Sequence, residues 1–142
     1  MRYYIIISFI VSIIFSSKIE FDGNKAFTYI KEQCQFGPRY PGSEGHKKLT
    51  DYLYNHFYQN SDSIMVFKDS INHPFTNEKI EITNFLAQHN IEADERYLFM
   101  AHFDTRDRAD KDSNPNNLDK PILGANDGAS GVALLMELST II

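Results

Sequence analysis

The sequence predicts an α/β layered fold, and three observations carry that prediction. Helical patterns come first, strand patterns follow, and a strand–loop–helix unit closes the chain. Residues Tyr97, Leu98, Phe99, Met100 and Ala101 form a continuous apolar run bounded by charge, the pattern of a central strand covered on both faces. Residues 132–142 read as a helix that is apolar nearly all round, with Glu137, Ser139 and Thr140 its only polar members. Such a helix is normally buried.

The composition fits a folded domain. In 142 residues, 42% are hydrophobic and 23% charged, ordinary values for a globular chain. Eleven Phe and eight Tyr are too many for a disordered segment. A net charge of −5 argues against broad nucleic-acid binding, which needs a basic face. One cysteine, Cys34, excludes an intrachain disulfide framework and a cysteine-based zinc site. It closes a helical pattern, so its expected role is packing.

Residues 1–17 stand apart. Arg2 supplies a positive start, an 11-residue stretch from Ile5 to Phe15 supplies an apolar centre, and Ser16-Ser17 follow. A bilayer span needs about 20 apolar residues, so the segment reads as a secretory signal peptide. Phe15 is bulky where a small residue is preferred before cleavage, and an uncleaved signal anchor is the alternative. The protein is thus expected to be secreted or periplasmic, and to meet a membrane only if the segment is kept. The folded part is expected over residues 18–142.

The elements follow in order. Asn24 is expected to cap a first helix bearing Ala26, Phe27, Ile30 and Cys34 on one face, with Gly37-Pro38 ending it. Residues 36–43, with two Pro and two Gly, read as a loop. Ser43 caps a second helix whose face carries Leu49, Tyr52, Leu53 and Phe57. Residues 64–67 and 79–87 are expected to be strands of a hairpin with a long tip. Residues 104–120, with five Asp and four Lys or Arg, read as a surface loop. The final apolar helix lacks a Gly or Asn cap, a basic last turn and a following Pro. A buried helix also needs layers that few remaining elements supply, so the chain is expected to be the N-terminal part of a longer protein.

His102, Asp104 and Asp127 are the candidate site. His102 sits just past the carboxyl end of the expected strand, where open α/β sheets bind ligands. Asp127 sits in a Gly-bracketed turn before the last helix. Imidazole and carboxylate are ordinary zinc ligands, and Asp104 is placed to orient His102. Plainer readings stand beside these: a satisfied strand-end histidine, an N-cap aspartate and a solvated loop charge. His46, His56, His73 and His89 show no ligand spacing and read as surface residues. Arg106 and Arg108 read as solvated charges or as anchors for a substrate carboxylate. No His-Glu-x-x-His, Gly-x-Ser-x-Gly or P-loop is present. The calcium-like start at Asp110, Asp112 and Asn114 fails, because Pro115 replaces the needed Gly and Pro121 the needed Glu.

From about Phe27 onward the chain resembles the M28 peptidase superfamily, which includes zinc aminopeptidases and glutaminyl-peptide cyclotransferases. The resemblance rests on Ala101-His102-Phe103-Asp104-Thr105, on the segment Gly124 to Gly131, and on Asn84-Phe85-Leu86-Ala87. Arg39-Tyr40-Pro41-Gly42-Ser43 is closer to the cyclotransferase branch, whereas Gly128 to Gly131 is like the aminopeptidases.

This resemblance implies a three-layer, zinc-exopeptidase-like fold with a mixed β-sheet between helices, incomplete within these residues. It implies a metal ligand at Asp127 in both branches, bridging two zinc ions in the aminopeptidases. His102 would bind one of those two in the aminopeptidases and lie near the single zinc, without necessarily binding it, in the cyclotransferases, with Asp104 in a supporting role. The remaining ligands and a Glu general base would lie downstream. One Zn2+ is expected for a cyclotransferase and two for an aminopeptidase, with peptide or protein N-termini as substrate. The expected reaction is conversion of N-terminal Gln to pyroglutamate with loss of ammonia. The alternatives are hydrolysis of the first peptide bond and a non-catalytic binding domain that lost its metal.

Overall fold

Local capping decides where each helix begins. In the computed structural model, which describes residues 19–73 and 76–142, helix α1 spans Gly23–Gln35. Its N-cap is Asp22, whose carboxylate accepts from the backbone N–H of Asn24 and Lys25. Asn24, the expected cap, lies one residue inside the helix. A carboxylate two positions earlier reaches both orphan N–H groups and also suits the positive helix end. The expected signal segment, residues 1–17, lies outside the described residues.

Helix α2 (Glu44–Gln59) begins at Ser43, whose hydroxyl accepts from His46 N–H, as the sequence predicts. Its Leu49 and Leu53 join Val132 and Met136 of helix α3 (Gly131–Ser139) in the buried core. Tyr29, Phe36, Tyr52, Phe57, Phe85 and Phe103 pack around that cluster. The expected face of α1 is only partly right. Ala26 is buried, Ile30 and Cys34 are half-buried, and Phe27 is exposed. Gln33 is fully enclosed, and its amide donates to the Ala129 carbonyl in the turn that precedes α3.

Strands β1 (Ser63–Asn72) and β2 (Lys79–Gln88) pair antiparallel from Ser63↔Gln88 to Asn72↔Lys79. The hairpin was expected, but β1 runs five residues beyond Phe67, because residues 68–72, all polar but Ile71, find ladder partners in β2. Phe85 reaches Phe103 at 5.9 Å and Tyr54 at 6.5 Å between ring centroids, so the hairpin packs against α2.

Residues 97–101 depart from expectation. Tyr97, Leu98, Phe99 and Met100 are exposed, and the described residues contain only the β1–β2 sheet. A strand exists through its ladder hydrogen bonds, and among the described residues no strand is paired with this run.

Two histidines are also placed differently from expectation. His46 is buried and stacks on Phe103 at 5.2 Å. His56 is half-buried, with Nε2 at 3.0 Å from the Met136 carbonyl and 3.1 Å from Ser139 Oγ. Each lies on the α2 face that meets the core, where an imidazole serves as a flat packing surface with a polar edge. His73 and His89 are also partly covered, and His73 Nε2 lies 3.5 Å from Asp107.

Burial lowers the affinity of His46 for a proton, against the opposing pull of Asp104 and Glu81. Burial likewise lowers that of His56, against the Met136 carbonyl. Both rings return to an ordinary value of 6.5 on unfolding. Their contribution is therefore fully present above that value and is lost as pH falls through the lower folded values. The melting temperature should fall between about pH 7 and pH 5. His46→Phe, which preserves the stack on Phe103, should flatten that slope in pH-dependent thermal melts. An unchanged slope would contradict this assignment.

Candidate metal centre

The site forms where the run 101–105 meets the segment before α3. This segment is a wide helical turn, Ala125–Ser130, interrupted at Asp127 with φ −108° and ψ 92°. The Asp127 carboxylate meets His102, with Oδ1 at 2.8 Å from Nε2. The extended backbone at Asp127 is also that of a helix cap, so the cap and ligand readings remain compatible.

His102 is held on its other edge by Asp104. Nδ1 lies 3.2 Å from the Asp104 carbonyl and 3.4 Å from its carboxylate Oδ1. A proton on Nδ1, donated to that carbonyl, leaves the Nε2 lone pair aimed at Asp127. Two lone-pair-bearing atoms at hydrogen-bond distance repel unless a cation stands between them, and either a proton or a metal ion meets that need. The side chains of His102 and Asp127 are 56% and 76% exposed, which leaves the pair accessible to an incoming ion.

The donor set suits zinc: one imidazole nitrogen and one carboxylate, with the second ring nitrogen oriented by a carboxylate residue. It is a partial set, because a catalytic zinc takes about three protein ligands. Among the described residues no group of three or more His, Cys, Asp or Glu is arranged to hold a metal. His46, His56, His73 and His89 add nothing to the pair. Arg106 pairs with Asp110, and Arg108 with Asp107 at 3.1 Å, so both loop arginines are engaged within their own loop. The calcium-like residues form local turns: Asp112 accepts from Asn114 N–H, and Asn114 from Asn116 N–H. Ser130 donates to the Asn126 carbonyl at 2.6 Å.

Glycines set how closely the two segments approach. A Cβ on Gly128 would lie 2.3 Å from the His102 carbonyl oxygen and 2.7 Å from ring Cε1. Gly124 has φ +62°, and a Cβ there would lie 2.4 Å from both Asp127 O and Thr105 Cγ2. The sequence reading missed two supporting residues, Arg39 and Gln33, both fully buried. Arg39 Nη2 donates to the Gly124 carbonyl and Gln33 Nε2 to the Ala129 carbonyl, each at 3.0 Å. An Arg between Pro38 and Tyr40 in a loop gives no periodic signal of burial.

Gly128→Ala should cost about 1–3 kcal/mol through overpacking against His102. Gly23→Ala, at the start of α1 with open space around it, should change stability by less than about 0.5 kcal/mol. Urea denaturation of the two variants measures the contrast, and equal stabilities would contradict the close-approach account.

Comparison with known proteins follows the same geometry. Residues 84–142 match the model of peptidase family M28. A search of curated proteins finds no match. Among solved structures, the chain is similar to Tannerella forsythia glutaminyl cyclase, with 35% identity, a TM-score of 0.79, and coverage of 84% of this chain and 41% of that one. It is similar to a leucine aminopeptidase precursor from Bacteroides thetaiotaomicron, with 34% identity, a TM-score of 0.75, and coverage of 85% and 41%. A Zn-dependent exopeptidase from Parabacteroides distasonis gives 30% identity, a TM-score of 0.80, and the same coverage of 85% and 41%. The chain thus spans about two fifths of the length of these structures. Its helices and hairpin are those of a zinc-exopeptidase-like α/β fold. The family match over the site segments and the structural likeness over most of the chain agree: the chain belongs to the M28 peptidase superfamily.

Proposed function

We propose that this protein is a secreted or periplasmic zinc enzyme acting on peptide N-termini, and that His102 and Asp127 are two of its metal ligands. The observation that carries the reading is the 2.8 Å approach of His102 Nε2 to Asp127 Oδ1, with Asp104 on the opposite ring edge. The preferred reaction is glutaminyl-peptide cyclotransfer. It is supported by the segment Arg39 to Ser43 and by the likeness to the Tannerella forsythia glutaminyl cyclase.

In that reaction the α-amine of an N-terminal Gln attacks its own side-chain amide carbon. A carbon–nitrogen bond forms to close the ring, the amide carbon–nitrogen bond breaks, and the proton from the amine leaves with ammonia. Zinc, when bound, supplies a Lewis acid for the amide oxygen. His102 presents a neutral nitrogen whose orientation Asp104 holds. Asp127 brings the negative charge that favours retention of a divalent cation. A carboxylate general base to move the proton is expected elsewhere in the protein.

A second reading, hydrolysis of the first peptide bond, is favoured by the Gly128 to Gly131 segment and by the likeness to the leucine aminopeptidase precursor. Protein expressed from the complete reading frame tests both. One zinc per chain with ammonia release from Gln-initiated peptides supports the cyclotransferase. Two zincs with release of a free N-terminal residue support the aminopeptidase. Protein that holds no zinc and does neither reaction would overturn the proposal in favour of a binding domain. Asp104→Ala should weaken zinc binding about 10–100-fold, and Asp127→Asn at least that much, by metal-competition titration.

A further inference from the structure

We propose that Arg39 is a positioning residue that joins the run carrying His102 to the turn carrying Asp127 and thereby sets their separation. The proposal rests on the metal-centre reading above and goes beyond it, since Arg39 touches neither His102 nor Asp127.

Arg39 is fully buried, yet among the described residues no carboxylate pairs with it. Its guanidinium is directed at carbonyls instead. Nη1 donates to Gln33 O at 3.2 Å and to Gly37 O at 3.0 Å, and Nη2 donates to Gly124 O at 3.0 Å. A buried cation without a carboxylate is costly unless its N–H groups are used. Here Nη1 and Nη2 bind the end of α1, the following loop, and the first residue of the segment that leads to Asp127, while Nε is buried without a hydrogen-bond partner among the described residues.

The backbone of the same residue makes the other half of the link. Arg39 N–H donates to Thr105 Oγ1 at 2.9 Å, and Thr105 N–H donates to Arg39 O at 3.2 Å. Thr105 directly follows Asp104, the residue that holds the His102 ring. Thr105 also packs against Gly124, so one residue closes a circuit from Asp104 through Thr105 and Arg39 to Gly124. Gln33 braces the far end of the turn at Ala129 O. Asp127 therefore sits between two carbonyls fixed from the α1 side. A planar fork holds its donors at fixed, separated positions and so reaches carbonyls from three different segments, whereas Lys offers its three donors from one point on a flexible stem and an apolar side chain offers none.

The test uses protein expressed from the complete reading frame, titrated with Co2+ alone and followed by visible absorption. The variants are Arg39→Met, Thr105→Val and Asp127→Asn, with circular dichroism at the titration temperature as the folding check. The expected result is at least a tenfold weaker Co2+ affinity and an altered absorption spectrum in folded Arg39→Met. Thr105→Val, which removes one hydroxyl and keeps the β-branched shape, should show a smaller change in the same direction. If Arg39→Met does not fold, Thr105→Val decides alone. Wild-type affinity and spectrum in the folded clamp variants, with binding lost in Asp127→Asn, would overturn the positioning role and leave the metal reading standing. Unchanged Co2+ binding in Asp127→Asn would overturn the metal reading, and this proposal with it.

Discussion

The close approach of residues 101–105 to the segment 124–131 is the constraint on which the rest depends. Three glycines face three residues in order: Gly124 faces Thr105, Gly128 faces His102 and Gly131 faces Ala101. At Gly128 an added Cβ would fall 2.3 Å from the His102 carbonyl, well inside any real contact. The register between the two segments is thus set by side chains that are missing. Only with that register does Asp127 arrive beside His102 Nε2.

What holds the segments together is largely polar. Gln33 and Arg39 reach from α1 and its following loop to carbonyls at both ends of the turn. Farther along α3, Glu137 is buried and accepts from Asp22 N–H at 3.2 Å, while Lys25 Nζ approaches it at 3.0 Å. Removing either partner of such a group leaves a buried charge uncompensated, which is costly. The apolar core of Leu49, Leu53, Val132 and Met136 drives α2 onto α3. It is indifferent to small slides, whereas hydrogen bonds at fixed distances are not. The polar ties account for placement, and the apolar core for cohesion.

Much of this was legible in the sequence wherever a local rule governs. Ser43 caps α2, the hairpin forms in the expected place, and Leu49 and Leu53 are buried because period and capping act within a few residues. His102, Asp104 and Asp127, the candidates read from the sequence, lie together in the fold, and their role as a metal site is the proposal made above. Legibility failed where a long-range partner decides. Arg39 is a loop residue enclosed by segments far away in sequence, and no periodicity reports that; His46 shares the α2 face of Leu49 and Leu53, but its polarity masks that spacing. Residues 97–101 show the opposite failure. Their apolar run is unmistakable, but pairing depends on a neighbour, and the described sheet contains β1 and β2 only.

Anomalous X-ray scattering at the zinc edge, from crystals of protein expressed from the complete reading frame, tests the central claim most directly. It locates the metal without reference to activity. The account predicts an anomalous peak about 2.0–2.2 Å from an Asp127 carboxylate oxygen and from His102 Nε2. A strong peak bound elsewhere, with His102 and Asp127 still in contact with each other, would contradict it.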